Sequence, residues 1–345
     1  MTAPRPPRHR RGLSHRALAV RWAVLVLVVG VLVWGVTGVA GLVRPVRSAD
    51  VAAGENDVDD AGEDGTVTDG DGAAPDGDAE GDGADGADDD ADGDGAAASA
   101  SATAQAEAAE LSALETRLRA QLAGYTATYS VTVRLLTGSE GTISIDGTTE
   151  REPASSIKVM IAWAALHEVD AGRLALTTSV GGGNTVSGCL TKMIEQSDND
   201  CSVSLRLKVG SAAMNTLWQA AGFAHTRVLL SGSTYLGKAT ATDDLAELYR
   251  RLYAGTALSA SSTELLLGHL TAQVWRTRIP AGVPGEVVVA DKPGWLPIST
   301  GWTQSDSGIV YAGDHPYVLS VLGEGGATEA QIAAISATVY AALVG

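Results

Sequence analysis

Residues 153–163 read PASSIKVMIAW, and the reading of this stretch decides the fold. A short polar opening, Ser155-Ser156, runs into a strongly apolar helix former that continues as IKVMIAWAALHEVDAG to Gly172. Ser155 and Lys158 stand three residues apart, one helical turn, so they share a face. A serine so placed can pass its proton to the neighbouring amine, and the helix N-terminus favours negative charge developing beside it. Alone the pattern is weak: Ser155 would serve equally as a helix cap and Lys158 as a solvated surface residue.

Two further segments change that weighting. Ser197-Asp198-Asn199 falls among segments that read as helical, and Lys292-Pro293-Gly294 closes the strand-like VVVADK at 287–292. Taken singly they are a polar helix break and a turn. Outward from these motifs, AEAAELSALETRLRAQLAG at 106–124 predicts a helix with Leu111, Leu114, Leu118 and Leu122 along one side. Strands are expected at 128–137 and 142–146, then a helical middle, then strands at 287–292, 308–313 and 317–323, and a final helix at 328–342. This order is α+β: an antiparallel five-stranded sheet flanked by helices, with a helical lobe over about 160–270 and both ends of the domain returning to one sheet.

In that order, S-x-x-K on a helix, S-D-N among helices and K-x-G on a late strand are the signature of serine acyl-enzymes acting on β-lactams or D-Ala-type peptides. The chain resembles the class A β-lactamase-like serine hydrolases, relatives of penicillin-binding proteins, over residues 106–345. TATDDLAELYRRLYAG, RIPAGVPG and DSGIVYAGDHPYVLSVLGEGG add to the likeness. The resemblance implies Ser155 as nucleophile and Lys158 as its proton acceptor or relay. It implies Ser197 as the hydroxyl that moves a proton toward the leaving nitrogen, and Asn199 as an amide holding a substrate carbonyl. Asp198 is expected to tie the lobe together, and Lys292 to add positive potential near Ser197 and a substrate carboxylate. Gly294 and Trp295 then line the substrate, and the backbone N–H groups of Ser155 and Trp295 form the oxyanion hole.

Three departures bear on activity. The family's deacylating Glu has no counterpart, since no Asp or Glu occurs between Asp200 and Asp243, where FAHTRVLLSGSTYLGKA should supply it. His225 is the only group there with a near-neutral reference pKa, and a lone histidine in a loop reads as polar surface. Pro293 replaces the usual Thr or Ser and offers neither hydroxyl nor N–H. Ser155 and Ser197 lie 42 residues apart, a shortened interval in the lobe.

The two cysteines, Cys189 and Cys201, bracket the S-D-N segment and are expected to form a disulfide outside the membrane. They and six scattered histidines give no metal-ligand set, and nothing points to a cofactor.

The net charge of −17 arises mainly from one segment: residues 50–94 hold 19 acids and no Lys or Arg. Residues 1–49 carry eight Arg and no acid, and residues 101–345 are nearly balanced, with 16 basic and 22 acidic groups. No basic face emerges from the large domain, which argues against nucleic acid as a partner. Residues 1–21 read as a basic cytoplasmic tail. Residues 22–43, WAVLVLVVGVLVWGVTGVAGLV, are long enough to cross a bilayer. The arginines before the span place the N-terminus inside and the domain outside, anchored in the plasma membrane by a single pass. A cleaved signal peptide is the alternative and exports the same domain. Residues 44–105 read as a disordered acidic linker whose like charges extend it, with specific calcium binding the less favoured reading. Three functions remain open on this sequence. The first is an anchored acyl-serine hydrolase of cell-wall peptides or related amides and esters. The others are a divergent β-lactamase, and a non-catalytic module binding wall fragments or a protein.

Overall fold

The computed structural model describes residues 91–228 and 237–345. The chain divides into two units, 1–83 and 84–345, and every described residue belongs to the second. The expected membrane span, the basic tail and most of the acidic linker lie outside the described residues. Among these, no helix is long and apolar enough to cross a membrane.

The first element, α1, spans Ala91–Ala123 and corrects the expected linker boundary: residues 91–105 are helical. Alanine is the strongest helix former, and the run AAASASATAQA extends the leucine-bearing helix backwards despite the acids before it. Two strands follow, β1 (Thr128–Leu135) and β2 (Thr142–Ile145). A 3-10 turn over Ala154–Ile157 leads into α2 (Lys158–Asp170), so the regular helix begins at the lysine rather than at Ser155. A small hairpin, β3 (Ser179–Gly181) and β4 (Asn184–Thr185), opens the lobe. The lobe continues with α3 (Val186–Glu195), α4 (Asn199–Val209) and α5 (Ser211–Ala220). A two-residue ladder, β5 (Arg227–Val228) with β6 (Lys238–Ala239), precedes α6 (Thr242–Tyr253) and α7 (Ala260–Thr271). The chain then returns to the sheet as β7 (Val288–Asp291), β8 (Gly294–Ile298), β9 (Gly301–Tyr311) and β10 (Tyr317–Glu324), and ends on α8 (Glu329–Leu343).

The main sheet runs β2-β1-β10-β9-β7, all antiparallel, with β8 also pairing β9. It therefore has five strand positions, as expected, and six strands. β7 and β8 occupy the fifth position in succession and keep one register along β9, Asp291 opposite Gly308 and Gly294 opposite Ser305. The break between them falls at Lys292-Pro293, where proline has no N–H for the ladder.

Side chains alternate across the sheet. Val318 and Leu322 of β10 face one core with α2, α3 and α6, while Tyr317, Leu319 and Val321 face a second core under α1 and α8. From Val159 to Leu166 every residue of α2 is buried, as a helix apolar on all sides must be. That helix anchors the 3-10 turn at its head between the sheet and the lobe.

Candidate active site

The three motifs meet. Lys158, buried at the start of α2, sends Nζ to Ser197 O at 2.6 Å, Asn199 Oδ1 at 2.8 Å and Ser197 Oγ at 3.2 Å. Lys292, fully buried between β7 and β8, donates to Ser197 Oγ at 3.0 Å and to Pro293 O at 3.0 Å. Ser197 Oγ thus sits between two amines that come from opposite sides of the cleft. Asp198 accepts from Cys201 N at 2.7 Å and caps α4, the structural role expected of it.

Ser155 lies in the 3-10 turn, half-buried, and its Oγ makes no hydrogen bond among the described residues. The direct Ser155–Lys158 hydrogen bond that the spacing suggests is therefore not formed. The lysine is drawn instead to the carbonyl and amide oxygens of the S-D-N segment. The turn is fixed from below, since Ser156 Oγ and Ser305 Oγ both donate to Pro153 O, at 2.8 and 2.7 Å.

Gly294 shows how closely β8 lies against this turn. A Cβ there would stand 2.5 Å from Ser155 N and 2.7 Å from Ser156 N, so only glycine fits. Trp295, the expected second oxyanion donor, is the next residue along the same strand.

Backbone strain gathers here as well. Ala154 and Ser197 are two of the four non-glycine residues with positive φ among the described residues, at +51° and +60°. Strain of this kind costs about 1–3 kcal/mol per residue and persists where the surroundings over-determine it.

Burial pushes the Lys158 amine down to about 6, helped by the nearby positive charges of Lys292 and Lys238 and opposed by Asp198. Burial likewise lowers Lys292 to about 7, against the pull of Asp291 and Asp306. Lys158 Nζ donates to Ser197 O, Asn199 Oδ1 and Ser197 Oγ, and Ser197 Oγ accepts from Lys292 Nζ as well.

The disulfide Cys189–Cys201 is present, with Cα atoms 4.8 Å apart. It ties α3 to α4 on either side of Ser197-Asp198-Asn199. His225 is half-buried, and its backbone N–H donates to Asp244 Oδ2 at 2.9 Å. Residues 229–236, within the loop that lacks an acid, lie outside the described residues.

Several residues at the site carried no motif. Lys238 reaches the neighbourhood through the bridge that pairs Arg151 with Thr240. Asp291 and Asp306 lie on adjoining strands, fully buried, with Gln273 and Arg276 donating to Asp291 at 2.7 and 2.8 Å and Ile279 N to Asp306 at 3.0 Å. Trp275 donates from Nε1 to Gln196 O at 3.4 Å and meets the Trp295 ring edge-on at 5.1 Å. The one available signal was an acid directly before Lys292; the rest depends on register and chain return.

A family model described as the beta-lactamase enzyme family matches residues 113–343, most of the folded chain. The chain belongs to this family. No curated protein matches. Among solved structures, a point mutant of PBP-A in an acyl-enzyme complex with penicillin G is similar at 23% identity and TM-score 0.62, over 67% of this chain and 96% of that one. A variant of the reconstructed class A β-lactamase of the last common ancestor of Gram-negative bacteria matches at 25% identity and TM-score 0.59, over 67% and 98%. A β-lactamase from Chitinophaga pinensis matches at 19% identity and TM-score 0.61, over 66% and 98%. The expected α+β class and family are thereby established.

Proposed function

We propose that the protein is an acyl-serine hydrolase that forms a slowly released acyl-enzyme at Ser155 with cell-wall-type peptides or related amides and esters, penicillins included. The observation that carries this is the convergence of Lys158 and Lys292 on Ser197 Oγ beside an unpartnered Ser155 hydroxyl. Ser155 Oγ attacks the substrate carbonyl and its proton passes to the neutral Lys158 amine. The N–H groups of Ser155 and Trp295 take the developing oxyanion. As the carbonyl–nitrogen bond breaks, the leaving nitrogen takes the Ser197 proton, which the Lys292 ammonium replaces.

Release to water is the slow step, because no Asp or Glu between Asp200 and Asp243 can activate a water. That favours a penicillin-binding type of enzyme over a fast β-lactamase. The likeness to a point mutant of PBP-A whose structure is an acyl-enzyme complex with penicillin G supports acylation by penicillins. Outside the described residues, the span 22–43 anchors the protein, with the domain on the outer side of the plasma membrane.

The test is a peptide ending in D-Ala-D-Ala and its thioester analogue, offered to the full-length protein. Release of the terminal group that disappears in Ser155→Ala supports the reaction; equal release by both proteins contradicts it.

A further inference from the structure

Beside Trp295 lies a groove of about 420 Å³, lined by Trp295, Trp302, Gln304, Ala327, Thr328 and Glu329. Its aromatic wall continues to the cleft, because Trp295 meets Trp275 edge-on and Trp275 reaches Gln196, the residue before Ser197. Trp302 is 47% exposed and Trp275 42%, so two large indoles of this region present faces to solvent.

The groove is built rather than incidental. The Arg278 guanidinium lies 4.9 Å from the centre of the Trp295 ring and fixes it from behind. Gly326 N and Ala327 N both donate to Trp302 O, at 3.2 and 3.1 Å, so the hairpin that carries Trp302 is held against the loop before α8.

Its polar edge is unfilled. Gln304 is only 7% exposed, and its Oε1 accepts twice from Arg278, at 3.1 and 2.7 Å. That fixes the amide orientation and leaves Nε2, which makes no hydrogen bond among the described residues, turned away from Arg278. Glu329 is half-exposed at the rim, its carboxylate 3.6 Å from Arg278. A flat indole wall with one amide donor and one carboxylate acceptor suits a ring that has an apolar face and hydroxyls around its edge. A hydrocarbon or aromatic side chain would leave Gln304 Nε2 unanswered, and an anionic ligand would meet Glu329.

We propose that this groove is a saccharide subsite, taking one ring of an N-acetylated glycan whose attached peptide enters the cleft at Ser155. The inference rests on the reading of the protein as a hydrolase of cell-wall peptides and names the part of that substrate which lies beyond the scissile bond. The indoles of Trp302 and Trp295 stack on the ring, Gln304 Nε2 donates to a hydroxyl or acetamido oxygen, and Glu329 accepts from a hydroxyl.

The probe is an N-acetylglucosamine tetramer titrated into the full-length Ser155→Ala protein, followed by indole fluorescence and calorimetry. Saturable binding is expected, weakened about tenfold or more by Trp302→Ala and largely kept by Trp302→Phe. Glu329→Gln weakens it as well. No saturable binding, or equal affinity in Trp302→Ala, overturns the subsite, as does tighter binding of a sugar-free aromatic dipeptide. A penicillin adduct at Ser155 without tetramer binding removes the subsite and leaves the reaction. Tetramer binding without an adduct removes the reaction and leaves the subsite.

Discussion

At the residue scale, the chemistry turns on two lysines held near neutrality. Lys158 must be an amine to accept the Ser155 proton, so acylation rises as pH climbs through about 6. Lys292 must be an ammonium to donate to Ser197, so acylation falls as pH passes about 7. A narrow bell in the acylation rate of the full-length protein is expected between these limits, read by stopped-flow with a chromogenic lactam. A rate that climbs steadily to pH 10 would contradict the assignment. Lys158→Ala should lower the plateau by about 10²–10⁴-fold, the usual worth of a positioned base.

The buried acids behind Lys292 have their own dependence. Burial pushes both Asp291 and Asp306 up, and the charge of Asp306 raises Asp291 further, so the pair retains a proton where exposed carboxyls have lost theirs. The native state then binds more protons than the unfolded chain once pH exceeds the ordinary carboxylate range, and stability falls as pH rises through that window. Asp306→Asn imitates the protonated member. Its melting temperature should equal that of the wild type near pH 4 and exceed it near pH 8; a uniform loss at both would show that the pair is fully ionised and paired with its arginines.

At the element scale, two contacts set the geometry. The Cys189–Cys201 crosslink joins α3 and α4 around Ser197. Closing a loop of this size is worth about 3 kcal/mol in the chain-entropy account. Replacing both cysteines by serine should lower the melting temperature by about 6–12 °C for a domain of this size. It should also slow acylation, which separates alignment from stability when rates are compared well below the transition. The second contact is β8 on the 3-10 turn. Gly294→Ala puts a methyl 2.5 Å from Ser155 N, so strand and turn must separate. A displacement near 1 Å costs catalysis about 10²-fold, and Gly294→Ala should show that loss in acylation rate with the far-ultraviolet circular dichroism unchanged.

At the scale of the whole molecule, the sequence exposes the parts whose signal is local. The apolar run after Ser155 marks the buried helix, and the leucines from Leu111 to Leu122 mark α1. The three motifs, read together, name the fold. What stayed hidden depends on distance in the chain. β8 and the first half of β9 were missed because Pro297, Ser299 and Thr300 break the alternating pattern of a strand. The early start of α1 was hidden by aspartates and glycines that normally end helices. Asp306 meets Asp291 only because β7 and β9 pair, and Lys238 nears Lys158 only through the Arg151–Thr240 bridge. Tryptophans 275, 295 and 302 form a wall only once three separate segments are folded together. The Ser155–Lys158 spacing was legible, but the lysine's choice of Ser197 and Asn199 over Ser155 was not, since both partners lie some forty residues on.

The central claim is that Ser155 is a live nucleophile whose acyl-enzyme persists, and intact-mass spectrometry of the full-length protein with penicillin G tests it most directly. A single adduct should appear on the wild type, map to the peptide containing Ser155, remain for hours, and be absent from Ser155→Ala. An adduct of equal yield on Ser155→Ala, or a wild type that never changes mass, would contradict the claim.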